Sequence, residues 1–173
     1  MNVQRITLTA ICIAIVTIFV ATVQIVIPGS GGYVHLGAIA EIFVAIAFGP
    51  VIGGVAAGVG AALADLITGF APFAPLTLVA HGSLGILVGL IGWRKGKNAM
   101  LIGWIVGGLA LVIVYFLGEA LFFDVGVAGA LSEVPANLGQ VSLGILGFLQ
   151  YRLVKQAYPQ IDQLAGKPAF QER

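Results

Sequence analysis

Charge is what this sequence has least of. Only 9% of its 173 residues are charged, where a soluble domain of ordinary composition carries about a quarter. Cysteine is nearly missing too: Cys12 stands alone in an apolar run, which excludes an intramolecular disulfide and a cysteine metal cluster. The two histidines, His35 and His81, are far apart and form no His-Glu-x-x-His pattern, so no metal site is expected. A formal net charge of +1 offers nothing to nucleic acid. Catalytic patterns fail as well. In "HGSLG" Gly82 directly precedes Ser83, which breaks the spacing of a nucleophile elbow. "GWRKGKN" has one residue too few between its glycines for a phosphate-binding loop, and Asn98 stands where Ser or Thr would bind magnesium. No enzyme activity and no cofactor are expected.

What is present is apolar: 60% hydrophobic residues, a mean hydropathy of +1.09, and 25 glycines spread along apolar runs. Small residues in such runs let helices pack closely in lipid. The composition predicts an all-α membrane protein in one domain, residues 1–173. Six transmembrane helices are expected, each near the roughly 20 residues that cross a hydrocarbon core. They run from Ile6 to Ile27, from Leu36 to a stop at Gly49-Pro50, from Val51 to Ile67, from Leu76 to Trp93, from Ala99 to Phe123, and from Pro135 to Val154. "IPGSGGY" and "TGFAPFAP" end the first and third spans, because proline and glycine forbid a continuing helix. "DVGVAGALSE" reads as a loop, with Pro135 suited to the first turn of the sixth span. The first apolar run is too long for a signal peptide.

The basic residues give the orientation. Arg5, then Arg94, Lys95 and Lys97, then Arg152, Lys155, Lys167 and Arg173 fall in regions that six crossings put on one face. Positive residues mark the cytoplasmic side, so both termini are expected to be cytoplasmic in a multi-pass membrane protein surrounded by lipid.

On this map the polar residues gather in the outer half. Tyr33 and His35 lie in the first outer loop, Asp124 and Glu133 in the third, and Glu41, His81, Glu119, Asn137 and Gln140 one or two turns inside the outer helix ends. Ionisable groups at membrane depth are costly and face a bundle interior or a wet cavity. Tyr115 and Glu119, Glu133 and Asn137, and Asn137 and Gln140 are three or four apart, so each pair shares a helical face. Together these residues predict a pocket that hydrogen-bonds a polar, ring-sized molecule. Alternatively, Asn137 and Gln140 hold helices together and Glu119 pairs structurally with His81. Asp65 is expected to hydrogen-bond the backbone amides of "TGFAPFAP". Ala10 and Ala14, with Ala21, form a small-residue stripe on the first span. A similar stripe of Gly54, Gly58 and Ala62 on the third is expected to pack within the chain.

The stretches "GGYVHLGAIAEIFVAIAFGPVIGGVAAGVGAALADLITG", "APLTLVAHGSLGILVGLIG" and "EVPANLGQVSLGI" resemble the substrate-binding S components of energy-coupling factor (ECF) vitamin transporters. The likeness is to the riboflavin-transporter-like branch that includes hydroxymethylpyrimidine and pyridoxine carriers. It implies that the subunit binds a vitamin, while a membrane coupling subunit and two ATPases drive import. It also implies that an A-x-x-x-A motif, matched by Ala10 and Ala14, contacts the coupling subunit. Gly49-Pro50, Gly60, Asp65 and Gly69 match such chains, whereas Leu36-Gly37-Ala38 replaces a frequent "LGD" and His81-Gly82 a frequent Lys-Gly. With no Lys or Arg on the outer face, a neutral or weakly basic heterocycle is expected rather than an anion. A stand-alone transporter coupled to protons through Glu41, His81 and Glu119 is the other reading.

Overall fold

Backbone amides cannot stay unpaired in hydrocarbon, and most of the described residues of this chain lie in helices, which pair them internally. The computed structural model describes residues 3–28 and 32–166. Residues 29–31 of the first loop, and the basic residues Lys167 and Arg173, lie outside them. The order is α1 (Val3–Thr22), a hairpin of β1 (Gln24–Val26) and β2 (Tyr33–His35), α2 (Gly37–Thr68), α3 (Ala74–Gly92), α4 (Lys97–Phe122) and α5 (Gly126–Ala157). Short 3-10 turns occupy Ala71–Phe73 and Ile161–Gln163. The first four helices are long and apolar enough to cross a membrane. The fifth carries more polar side chains, among them Glu133, Asn137, Gln140 and Gln150.

Helix α2 folds back on itself. Gly49 has φ 87° and ψ −179°, a conformation that L side chains avoid, and Pro50 next to it supplies no amide for a continuing helix. A straight helix would hold residues 45 and 53 about 12 Å apart, yet a Cβ built on Gly53 would lie 2.7 Å from the Ala45 Cα. The half before the break, 37–48, therefore reaches only about 18 Å. Trp93 closes the hinge: a side chain at Gly49 would meet its ring at 2.6 Å.

Several helix boundaries differ from the expected ones. The first helix stops at Thr22, and the β-branched run behind it pairs as a strand, Gln24 opposite His35 and Val26 opposite Tyr33. The last helix begins at Gly126, so "DVGVAGALSE" is mostly helical and Pro135 lies inside α5. Alanine, leucine and glutamate there favour a helix, which omits only the bond that Pro135 cannot donate. Helix α4 begins at Lys97 rather than Ala99.

Small residues set the spacing of the bundle. A Cβ on Gly85 of α3 would lie 2.3 Å from the Gly53 carbonyl oxygen of α2, and one on Gly58 would lie 2.7 Å from the Leu78 carbonyl. The stripe of Gly54 and Gly58 is thus spent within the chain. Helix α1 buries Cys12, Val16 and Val20 and donates from the Thr17 hydroxyl to the Gly60 carbonyl at 2.9 Å. Ala10 and Ala14 lie on its exposed side.

The charges segregate along the bundle. Arg94, between α3 and α4, donates to the carbonyls of Asp162 and Gly166 at 2.7 and 2.8 Å, and Lys155 pairs with Asp162. The loop after α3 and the segment after α5 therefore share one end. Val20, near the far end of α1, abuts Gly37 at the hairpin, which puts Arg5 at that same basic end.

Candidate functional site

At the hairpin end the polar residues converge. Tyr33, His35, Tyr115, Glu133, Asn137 and Gln140 line one enclosed space, with Gly32, Phe73 and Thr77 completing it. Glu41, His81 and Glu119 stand directly behind, at 0%, 0% and 1% exposure. The nine residues singled out from the sequence are thus neighbours, drawn from the hairpin and from α2, α3, α4 and α5. Thr77 was not among them. Its spacing of four from His81, which puts both on one helical face, was the available signal.

Most of these side chains already have partners, and the partners fix their orientation. Gln140 accepts from the His35 main-chain N–H at 2.9 Å, so its oxygen is engaged and its amide nitrogen remains as a donor. His35 Nδ1 accepts from the Gly37 N–H at 3.0 Å, which leaves the neutral ring with Nε2–H toward the cavity. Burial, and then the neighbouring His81, hold the His35 imidazole well below its ordinary value. It is neutral at pH 7. Tyr115 donates to Thr77 at 2.9 Å.

One pairing differs from the alternative reading of the sequence and one from the expectation. His81 pairs with Glu41, not Glu119: Nδ1 lies 2.8 and 2.9 Å from the two carboxylate oxygens. Its Nε2 is buried without a partner among the described residues, and its ring centre lies 5.1 Å from that of His35 and 5.8 Å from that of Tyr115. Asp65 does not cap the following turn with its side chain. Its main-chain carbonyl does that, accepting from the Phe70 N–H at 2.8 Å. The carboxylate instead accepts from the Tyr33 hydroxyl at 2.5 Å. Burial, with the Asp65 carboxylate second, raises the Tyr33 phenol well above its ordinary value, so it stays a donor.

The space is small. Its volume of about 10 Å³ is close to the room one water needs, far below the several hundred Å³ of a ligand pocket. A larger groove of about 480 Å³ between the second half of α2 and α3 is walled by Pro50, Val55, Leu78 and Ile86 and offers no polar group. A ring-sized molecule therefore has the chemistry to be held at the hairpin end only if the hairpin, α3 and α5 part. Among the described residues no group of three or more His, Cys, Asp or Glu could hold a metal ion.

The comparisons with known proteins fit this architecture. Residues 1–156 match the family model of the ECF-type riboflavin transporter, S component. The chain is 38% identical over 153 residues to an uncharacterised protein of Pyrococcus woesei, covering 85% of this chain and 99% of the relative. It is 30% identical over 146 residues to the thiamine precursor transporter HmpT of Lactococcus lactis subsp. cremoris (strain MG1363), covering 84% and 83%. Among solved structures it is similar to the S component of a bacterial ECF transporter, with a TM-score of 0.72 and 17% identity over 89% of this chain and 96% of the other. It is also similar to FolT bound with folic acid, with a TM-score of 0.73 and 18% identity over 96% and 99%. These are folds of transporter subunits, not enzymes. The chain belongs to the family of ECF-type riboflavin transporter S components, multi-pass membrane proteins that bind vitamin-type substrates.

Proposed function

We propose that this chain captures a vitamin precursor, hydroxymethylpyrimidine or a close relative, in a pocket built from Tyr33, His35, Glu41, His81, Tyr115, Glu119, Glu133, Asn137 and Gln140. It delivers the compound inward with a membrane coupling subunit and two ATPases. The observation that carries the reading is the lining itself: amides, imidazole and carboxyls converge at one end of the bundle, and the described Lys and Arg residues lie at the other. An anion would find nothing there to offset its charge. A neutral or weakly basic heterocycle finds the Gln140 amide, the Asn137 amide and the His35 Nε2–H. The relative named as a thiamine precursor transporter supports the same class. Counting the two halves of α2 separately gives six spans. The basic end faces the cytoplasm, both termini lie there in the cell membrane, and Ala10 and Ala14 face the coupling subunit.

Equilibrium titration of the purified protein with hydroxymethylpyrimidine, pyridoxine, riboflavin, cobalamin and, as an anionic vitamin, folate tests this. Hydroxymethylpyrimidine binds tightest, and Asn137→Ala weakens it by about tenfold or more. Binding of an anionic vitamin alone overturns the reading. Co-purification with a coupling subunit and ATPases separates it from a stand-alone proton-coupled carrier, which transports without them. Cysteines at Gly96 and Gly166 are shielded from an impermeant thiol reagent in intact cells, and one at Gly31 is labelled.

A further inference from the structure

Glu119 of α4 and Glu133 of α5 stand side by side, 1% and 3% exposed. Both oxygens of Glu119, and Oε1 of Glu133, are buried without a hydrogen-bond partner among the described residues. Carboxylates only accept, so neither satisfies the other unless a proton lies between them. Of the surrounding groups, Tyr33 donates to Asp65, His81 pairs with Glu41 and Tyr115 donates to Thr77, while the His35 Nε2–H and the Asn137 and Gln140 amides that share the lining are neutral and bring no counter-charge. Asp124, beyond the end of α4, is exposed. No lysine or arginine of the described chain reaches this end. Two adjacent buried carboxyls cannot both ionise without a counter-charge, and Glu133 opens onto the cavity.

We propose that Glu119 and Glu133 share one proton in the free protein and that this pair is the recognition site for an N–C–NH₂ edge of the bound heterocycle. The inference rests on the pocket reading above and selects an amino-substituted, basic ring within it. On binding, the shared proton moves to the ring nitrogen. The cationic edge then presents two N–H donors to two carboxylates, an arrangement of charge-assisted bonds. For a neutral ligand the total charge of the site is unchanged and no proton is exchanged with water; a ligand that arrives protonated sends the shared proton to solvent.

Infrared and ultraviolet difference spectra test this with hydroxymethylpyrimidine and with 4-aminopyrimidine, which carries the edge alone. The ligand-free protein at neutral pH shows the C=O stretch of a protonated carboxyl, which Glu119→Gln and Glu133→Gln each shift and the double variant abolishes. Saturating ligand removes that band, and the bound ring shows the absorption of its protonated form. Replacing the amino group by hydrogen weakens binding to the unmodified protein by about tenfold or more and to the double variant by much less. If hydroxymethylpyrimidine does not bind but 4-aminopyrimidine removes the band, the vitamin assignment falls and the carboxyl pair stands. A ligand-free protein without the band, or a band that neither compound alters, overturns the pair.

Discussion

The Tyr33 hydroxyl donates to Oδ1 of Asp65 at 2.5 Å, tying the second strand of the hairpin to the last turns of α2. The Tyr33 ring also lies 4.3 Å from that of Phe70, centre to centre. Three residues near the ends of neighbouring elements thus hold the hairpin over the cavity.

Tyr33→Phe keeps the ring contact and strands a buried carboxylate oxygen. Such a loss costs about 1 to 3 kcal/mol. Hydrogen exchange at residues 24–26 and 33–35 should accelerate several-fold and the unfolding temperature in detergent should fall. Unchanged exchange there would mean that the strands hold the hairpin without this bond.

His35 gives the same region a pH dependence. Its imidazole titrates well below the ordinary value in the folded protein because it is buried beside His81. The unfolded chain therefore takes up a proton that the folded one refuses. The stability that neutral His35 confers is complete above about pH 6.5, the ordinary imidazole value, and is lost progressively below it toward the folded value. Unfolding temperatures measured between pH 8 and 5 should fall on the acid side, and His35→Gln should flatten the curve. An equally steep fall in the variant would assign the effect to another group.

Glycine positions separate contact from propensity. Gly85→Ala forces a methyl to within 2.3 Å of the Gly53 carbonyl oxygen, and backbone cannot step aside without parting α2 and α3. A loss of about 1 to 3 kcal/mol or more is expected. At Gly139 of α5 nothing lies within 4 Å, so Gly139→Ala should be neutral or mildly stabilising. Comparable losses at both sites, by thermal unfolding, would show that helix propensity outweighs close packing here.

Ala10 and Ala14 stay exposed while Cys12, Val16 and Val20 of the same helix are buried. The double variant Ala10→Leu, Ala14→Leu should therefore fold and bind ligand as before, yet lose association with the coupling subunit, because close helix approach needs small side chains. Undiminished uptake in cells would place the docking surface elsewhere.

Several features were determined by the sequence alone, because each depends on what a residue does locally or on its distance along the chain. A glycine with positive φ before a proline breaks a helix in any context, and Gly49-Pro50 did so here. Scarce charge confined Arg5, Arg94, Lys95, Lys97, Arg152 and Lys155 to one end. The polar residues at helical spacing fell at the other, on faces that meet. Tertiary structure decided the rest. Val23 to Ile27 reads equally well as more helix, and only the strand from Tyr33 to His35 makes it a strand. Glu41 and Glu119 were both within reach of His81 on a depth map; the approach of α2 to α3 chose Glu41, and left Glu119 facing Glu133 across α4 and α5. The sequence sets the depth of each buried charge, but which charges meet is fixed by how closely neighbouring helices approach, and here the small residues set that distance.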